Sequence, residues 1–527
     1  MRAACFLLIL GILALADVRS GSGAGSEDAI TRAMASVAEA VPRAEADPTR
    51  PVYHFRPPAY WMNDPNGPIY HKGYYHMFYQ HNPYGDQWGN MHWGHARSRD
   101  LVRWEHLPIA LWPSKEAGEE HVFSGCALIN RQGQPMIFYT SIAQGKSAGE
   151  YAEQWAAIGD DSLIHWQKHP SNPLLSEALH GGAKIYDWRD PFFFQHQGTS
   201  YLVLGGHVNQ GKDARGVVNL YQATNRELTQ WKYLGVLFSH PDGQVKNIEC
   251  PNFFKLGKRW VLVISPHGPV QYFVGDFDAP SHQFKPVQRG ILDIGGNYYA
   301  PNCTLDPNGR RLMWGWINGF KGGHGWNGCL TLPRILTVGS DDQLRQEPAP
   351  ELRKLRGKKS KFTEAALGGA RRFQSPAPRF ADTPFHLPSG NGESEKRRVG
   401  DTSAQFIETG KGDTLEILAE FEPGDAKAFG LKARRSDDGQ RETGISYDGH
   451  QLEVAGATVP FKLLPNEKTL KLHVFLDRSV MEVFANNRAC FTRVIFPGEN
   501  DLGVGAFATG GKAGLRSFEA WPMRSIW

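Results

Sequence analysis

Residues 73–80 read GYYHMFYQ, a turn glycine followed by an aromatic-rich run of strand-forming residues. The same layout returns as GQPMIFYT at 133–140, GTSYLVLGG at 198–206, GKRWVLVIS at 257–265 and GRRLMWGW at 309–316. An apolar or aromatic run precedes each glycine, so each marks a hairpin, and successive glycines stand 60, 65, 59 and 52 residues apart. A second marker keeps the same period: Leu101-x-x-Trp104, Leu163-x-x-Trp166 and Leu228-x-x-Trp231, with tryptophans 62 and 65 residues apart. Units of about 60 residues holding some four short strands fit the blades of a β-propeller better than a sandwich. The chain offers five of them, over residues 51–350.

Polar side chains fall in register with this repeat. Asp64, Ser124, Asp190, Glu249 and Tyr299 precede their turn glycines by 9, 9, 8, 8 and 10 residues. The innermost strands of a propeller surround its axis, so this spacing predicts that the five side chains meet in one central pocket. Past residue 350 the pattern changes. Residues 351–372 are basic and are expected to be a short helix or a linker, and 373–399 are rich in Pro, Ser and Gly. Alternating strands then return from Leu415, Leu470, Val480 and Leu502, with an Asn486-Asn487 turn typical of a hairpin. The expected fold is all-β: a five-bladed propeller followed by a C-terminal antiparallel β-sandwich over 373–527.

Composition narrows the function. The 527 residues are 41% hydrophobic and 21% charged with a net charge of +4, which gives neither nucleic acid nor an anionic membrane a reason to bind. The N-terminus, MRAACFLLILGILALADV, has a basic start, a short apolar run and the small-residue pattern Ala14-Leu15-Ala16, as in a secretory signal ending near residue 16. The protein is expected to be secreted, extracellular or periplasmic, and free of the membrane after cleavage. Residues 17–50 are expected to be poorly structured. Cys126, Cys250, Cys303, Cys329 and Cys490 lie far apart without ligand spacing and should be buried free thiols. His92, His95, His267 and His324 have no partners at metal spacing and are expected to pack or hydrogen-bond. No metal or other cofactor is implied.

A pocket holding Asp64, Asp190 and Glu249, with Arg189 as the main positive charge, suits carboxylate chemistry on a neutral ligand. Glycoside hydrolysis needs such a set: one ionised carboxylate and one protonated carboxyl. Aromatic and amide side chains near the first motif suit a sugar. Read alone, each feature has a structural alternative: DPNG is a common turn, Arg189-Asp190 an ordinary ion pair, and Trp88 or Trp93 a core residue, Trp93 more so.

The motifs WMNDPNGP (61–68), FYQHNP (78–83), WGNMHWGHARSRDLVRW (88–104), FSG (123–125), WRDP (188–191) and ECPN (249–252) together resemble the ordered set of glycoside hydrolase family 32. YYAPN (298–302), LTLPRIL (330–336) and LDRSVMEVFANN (476–487) resemble its propeller end and sandwich. The resemblance runs from Tyr53 to Trp527. It implies a retaining β-fructofuranosidase acting on sucrose or a fructan, with Asp64 as nucleophile, Glu249 as general acid/base and Asp190 holding fructosyl hydroxyls beside Arg189. Asn63, Gln80, Trp88, Phe123 and Ser124 would line the fructosyl subsite, with Tyr299 at pocket height. The glycine-rich stretch GFKGGHGWNGC (319–329) departs from the family pattern and offers Trp326 as a contact on the leaving-group side. A fructosyltransferase would use the same three carboxylates, and products formed at high sucrose would distinguish it. A non-catalytic carbohydrate-binding propeller would be expected to lack one of them. An inverting, arabinan-type hydrolase is opposed by the first and last core motifs.

Overall fold

Each of the five turn glycines joins the first two strands of a separate antiparallel sheet in the computed structural model, which describes residues 23–367 and 405–527. The signal-like residues 1–16 and the Pro/Ser/Gly-rich residues 373–399 lie outside the described residues. The five glycines have φ of 87°, 80°, 77°, 62° and 75°, a left-handed conformation that strains residues bearing a Cβ. The innermost strands are Tyr60–His71, Glu119–Ile129, Tyr186–His196, Glu249–Leu256 and Tyr298–Leu305. Each touches the next and the fifth touches the first, closing the ring of a five-bladed propeller. Trp326–Asn327, which follows the fifth hairpin, pairs in parallel with Tyr60 and Trp61 and fastens the last blade to the first.

The second repeat has a local cause. Leu101, Leu163 and Leu228 take left-handed φ of 67°, 60° and 61°, and the indole N–H of Trp104, Trp166 and Trp231 donates to their carbonyls at 3.0, 2.8 and 2.9 Å. The tryptophan closes the tight turn that starts each outer strand, and all six side chains are buried.

The C-terminal domain is a sandwich of two six-stranded sheets packed over an apolar core. Its expected hairpin joins Val480–Ala485 to Ala489–Val494 through Asn486 and Asn487, both with positive φ. The short helix expected at the start of 351–372 is present as the 3₁₀ helix Pro350–Leu355, whereas Ser360–Leu367 is neither helix nor linker but pairs with Ala513–Pro522 as an edge strand of the sandwich.

The poorly structured segment expected over 17–50 is also corrected, because Gly23–Glu45 forms a helix. Ala33, Val37, Ala40 and Ala44 recur at intervals of three and four, making a narrow stripe of small side chains that is buried in the fold. Val37, Ala40 and Ala44 pack against Ala59 and Trp326. No helix among the described residues is long and apolar enough to cross a membrane.

Charged groups join propeller, N-terminal segment and sandwich. Asp477 of the sandwich accepts the N–H groups of Val52, Tyr53 and His54 and lies 2.8 Å from His54 Nδ1. His54 Nε2 faces Glu482 at 3.1 Å, and Arg334 donates to both Glu482 and Asp293 at 2.5 and 2.9 Å. Every ionic side chain here is fully buried.

Candidate active site

A backbone irregularity recurs at one height in all five inner strands. Pairing with the second strand slips between Met62 and Pro65, Val122 and Gly125, Arg189 and Phe192, Glu249 and Asn252, and Tyr299 and Asn302. Pro65, Pro191, Pro251 and Pro301 sit in or beside these slips, and proline has no N–H to give the ladder. In the second blade Gly125 takes the place, where a Cβ would lie 2.0 Å from Phe138 O. These residues set the true register. Asp64, Ser124, Asp190, Cys250 and Ala300 occupy one level, and Asn63, Phe123, Arg189, Glu249 and Tyr299 the level before it. Bulges re-aim side chains, and here both levels turn toward the axis.

The result is a cavity of about 710 Å³ lined by Asp64, Ser124, Asp190, Glu249 and Tyr299, the five residues whose spacing predicted convergence. Asn63, Gln80, Trp88, Phe123 and Arg189 line it too. Ser124 Oγ donates to Asp64 Oδ2 at 2.6 Å and Asn63 Nδ2 to Oδ1 at 3.0 Å. Asp190 Oδ2 accepts the Cys250 N–H at 2.9 Å, and the Cys250 thiol lies 3.5 Å from both Asp64 and Asp190. Glu249 takes Arg189 Nη2 on Oε1 and the Tyr299 hydroxyl on Oε2, both at 2.5 Å. Arg189 thus bonds Glu249 across the blades and stands 3.9 Å from its sequence neighbour Asp190. Gln80 Nε2 donates to Val122 O at 2.9 Å. Trp88 is 52% exposed and lies against His121 and Phe123 at the mouth.

The three carboxyls are held differently. Burial pushes Asp64 above the ordinary carboxylate range, with the bonds from Ser124 and Asn63 opposing it. Burial also dominates at Asp190, opposed by Arg189 and reinforced by Glu249 and Asp64, and raises it to about 7. Burial would raise Glu249 as well, but Arg189, His267 and Tyr299 outweigh it and hold this group below its usual value. Arg189 loses by desolvation and gains more from Glu249, Asp190 and Asp187, so it stays charged.

One expected contact lies elsewhere. Trp326 is 3% exposed, packs on the N-terminal helix and donates its indole N–H to Asp47 Oδ2 at 2.9 Å, away from the cavity. Trp316 lines the cavity in its stead, set edge-on to Trp61 at 5.7 Å. His267 also belongs to the site: its side chain is 55% exposed, lines the cavity and stands 3.6 Å from Glu249. His92, His95 and His324 take the packing and hydrogen-bonding parts expected of them. Trp93 is fully buried and donates to Phe123 O at 3.0 Å. All five cysteines of the described residues are buried and unpaired, with no cluster of three or more metal-binding side chains among those residues.

Comparison with known proteins extends this picture. The model of the glycosyl hydrolases family 32 N-terminal domain matches residues 54–348, and that of the family's C-terminal domain matches 387–522. The chain is 30% identical to a levanase of Bacillus subtilis over 91% of its own length and 71% of the relative's. It is equally similar to a sucrose-6-phosphate hydrolase of Zymomonas mobilis, over 90% and 92%. Among solved structures, a β-fructofuranosidase of Bombyx mori superposes with a TM-score of 0.75 at 27% identity, covering 95% of this chain and 99% of that one.

Proposed function

Because the chain belongs to glycosyl hydrolase family 32, we propose that it is an exported β-fructofuranosidase that releases fructose from sucrose or β-fructans by two displacements at the axial cavity. One observation carries the reading: Asp64, Asp190 and Glu249 line one cavity, each held by different partners. Export is supported by the basic-apolar-small pattern of residues 1–16.

In the first step an oxygen of Asp64 bonds to the anomeric carbon of the fructosyl unit. The bond to the leaving oxygen breaks, and that oxygen takes the proton of Glu249. In the second, water gives a proton to Glu249, its oxygen bonds to the same carbon, and Asp64 is released. Ser124 and Asn63 steady the Asp64 carboxylate for attack. Asp190, fixed by the Cys250 N–H, accepts fructosyl hydroxyls and faces the positive charge that develops on the ring.

Arg189, His267 and Tyr299 hold Glu249 below its usual value, whereas the first step needs it protonated. A bound sugar that expels water from around Glu249 raises it toward the form that can give a proton.

The test compares wild type with Asp64→Asn and Glu249→Gln on sucrose, inulin and levan. Both variants should lose about 10³-fold or more in kcat. The Glu249→Gln loss should shrink on an aryl fructoside, whose leaving group needs no proton. Near-normal turnover by either variant on sucrose defeats the assignment.

A further inference from the structure

Residues 319–327 follow two cavity residues, Trp316 and Asn318, and are gripped from both sides. On one side the Asp86 carboxylate accepts the N–H groups of Gly323 and Gly325 at 2.8 and 3.1 Å, while its carbonyl accepts Asn327 Nδ2 at 3.1 Å. On the other, Arg43 of the N-terminal helix donates to Gly323 O at 2.6 Å. Just past that helix, Asp47 receives the Trp326 indole and stands 3.0 Å from His324 Nδ1. The fit is close: a Cβ on Gly325 would lie 3.2 Å from Arg43 Cγ, and one on Gly322 2.1 Å from Gln87 Nε2.

Glycine-rich chain loses much conformational freedom when fixed, so a loop like this keeps one shape only where contacts impose it. Asp86 lies two residues before Trp88, and Asn82 Nδ2 secures the intervening Gln87 carbonyl at 2.8 Å. The grip on the loop therefore reaches the aromatic side chain at the cavity mouth. The helix lies ahead of residue 54, where the family model begins.

We propose that helix Gly23–Glu45 is a specificity-determining brace, which through residues 319–327 fixes Asn318 at the cavity rim against the part of the substrate beyond the fructosyl unit. The proposal rests on the fructosidase reading above. Arg43, Asp47 and Asp86 are positioning residues. They act through the loop and hold the rim in the shape that receives the leaving sugar, so the substrate need not order it.

The test uses the full chain with Arg43→Ala, Asp47→Asn and Arg43→Lys, assayed on sucrose, an inulin-type trisaccharide and methyl β-fructofuranoside. The first two variants should raise KM for both oligosaccharides about five- to tenfold, with kcat and the methyl fructoside KM changed less than about twofold. Arg43→Lys, which retains a donor for Gly323 O, should stay near wild type. Equal losses on all three substrates, or none, overturn the brace. Amide hydrogen exchange gives a readout free of catalysis: residues 86–88 and 319–327 should exchange faster in Arg43→Ala, and unchanged exchange also overturns it. A wild type inactive on every fructoside would defeat the fructosidase reading, and the exchange result would still decide whether the brace exists.

Discussion

His54 should make the joint between propeller and sandwich sensitive to alkali. Both of its ring nitrogens face carboxylate oxygens, Asp477 at 2.8 Å and Glu482 at 3.1 Å, so the ring is held doubly protonated. Burial alone would lower it, but the bonds to Asp477 and Glu482 prevail and raise it from 6.5 to about 9. A folded-state value above the unfolded one means stability that is fully present below pH 6.5 and lost as pH climbs through about 9. The gap of about 2.5 units corresponds to roughly 3 kcal/mol. For a chain of 527 residues, an unfolding entropy of about 2 cal/mol/K per residue makes this some 3 °C in melting temperature. Burial depresses His76 and His81 to about 4, and they act in the opposite sense, below pH 6.5, outside this window. Thermal melts at pH 6, 7, 8 and 9 on wild type and His54→Asn provide the comparison. Wild type should start higher and lose about 3 °C more than the variant across the range. Parallel curves would refute a charged His54.

Two further predictions concern the cavity and the repeat. Arg189→Gln removes the charge that holds Glu249 down, so the acid should keep its proton to higher pH and the alkaline limb of kcat/KM should move up by about one unit or more; a limb that stays in place contradicts the electrostatic account. Trp166→Phe keeps the ring against Phe78 but loses the indole bond to Leu163 O, which should cost about 1 kcal/mol in denaturant unfolding with KM unchanged, and an unaltered stability would refute the proposed cause of the repeat.

What the sequence disclosed follows from the range of the forces involved. The turn glycines and the Leu-x-x-Trp units answer to local backbone demands, a left-handed residue and a carbonyl three positions from an indole, so they are written wherever a blade is built. Counting back from the glycines gives the level of Asp64 and Glu249 only approximately, because the stretch from bulge to turn glycine varies from blade to blade. The Pro or Gly at 65, 125, 191, 251 and 301 is the better ruler, since it marks the bulge itself. Trp326 turns away from the cavity for a long-range reason. An aromatic residue in glycine-rich chain can face either way, and here Asp47, 279 residues earlier in the chain, decides. The helix just ahead of Asp47 leaves little trace in the sequence because its buried stripe is mostly alanine. His267 carried no motif, and only the fold brings it to Glu249.

The sandwich builds part of the cavity wall. Its strand Ala489–Val494 runs along residues 293–297 of the fifth blade. Ile294 N–H donates to Cys490 O at 2.8 Å, Thr492 N–H and Oγ1 to Asp293 at 2.9 and 2.7 Å, Arg493 Nη1 to Gly295 O at 2.6 Å, and Val494 N–H to Asn297 Oδ1 at 3.0 Å. Gly295 admits this approach because a Cβ there would lie 2.1 Å from Thr492 O. Asp293, Gly296 and Tyr298 in turn line the cavity, and the next residue, Tyr299, donates its hydroxyl to Glu249. An apolar joint could bury as much surface, but it tolerates sliding. The ionic bonds of Arg334 to Asp293 and Glu482 do not, because displacing either carboxylate leaves a buried charge unpaired at a cost of several kcal/mol. Charged rather than purely apolar contact between the domains is therefore what fixes the fifth blade, and with it the tyrosine that faces the acid, at one height on the axis.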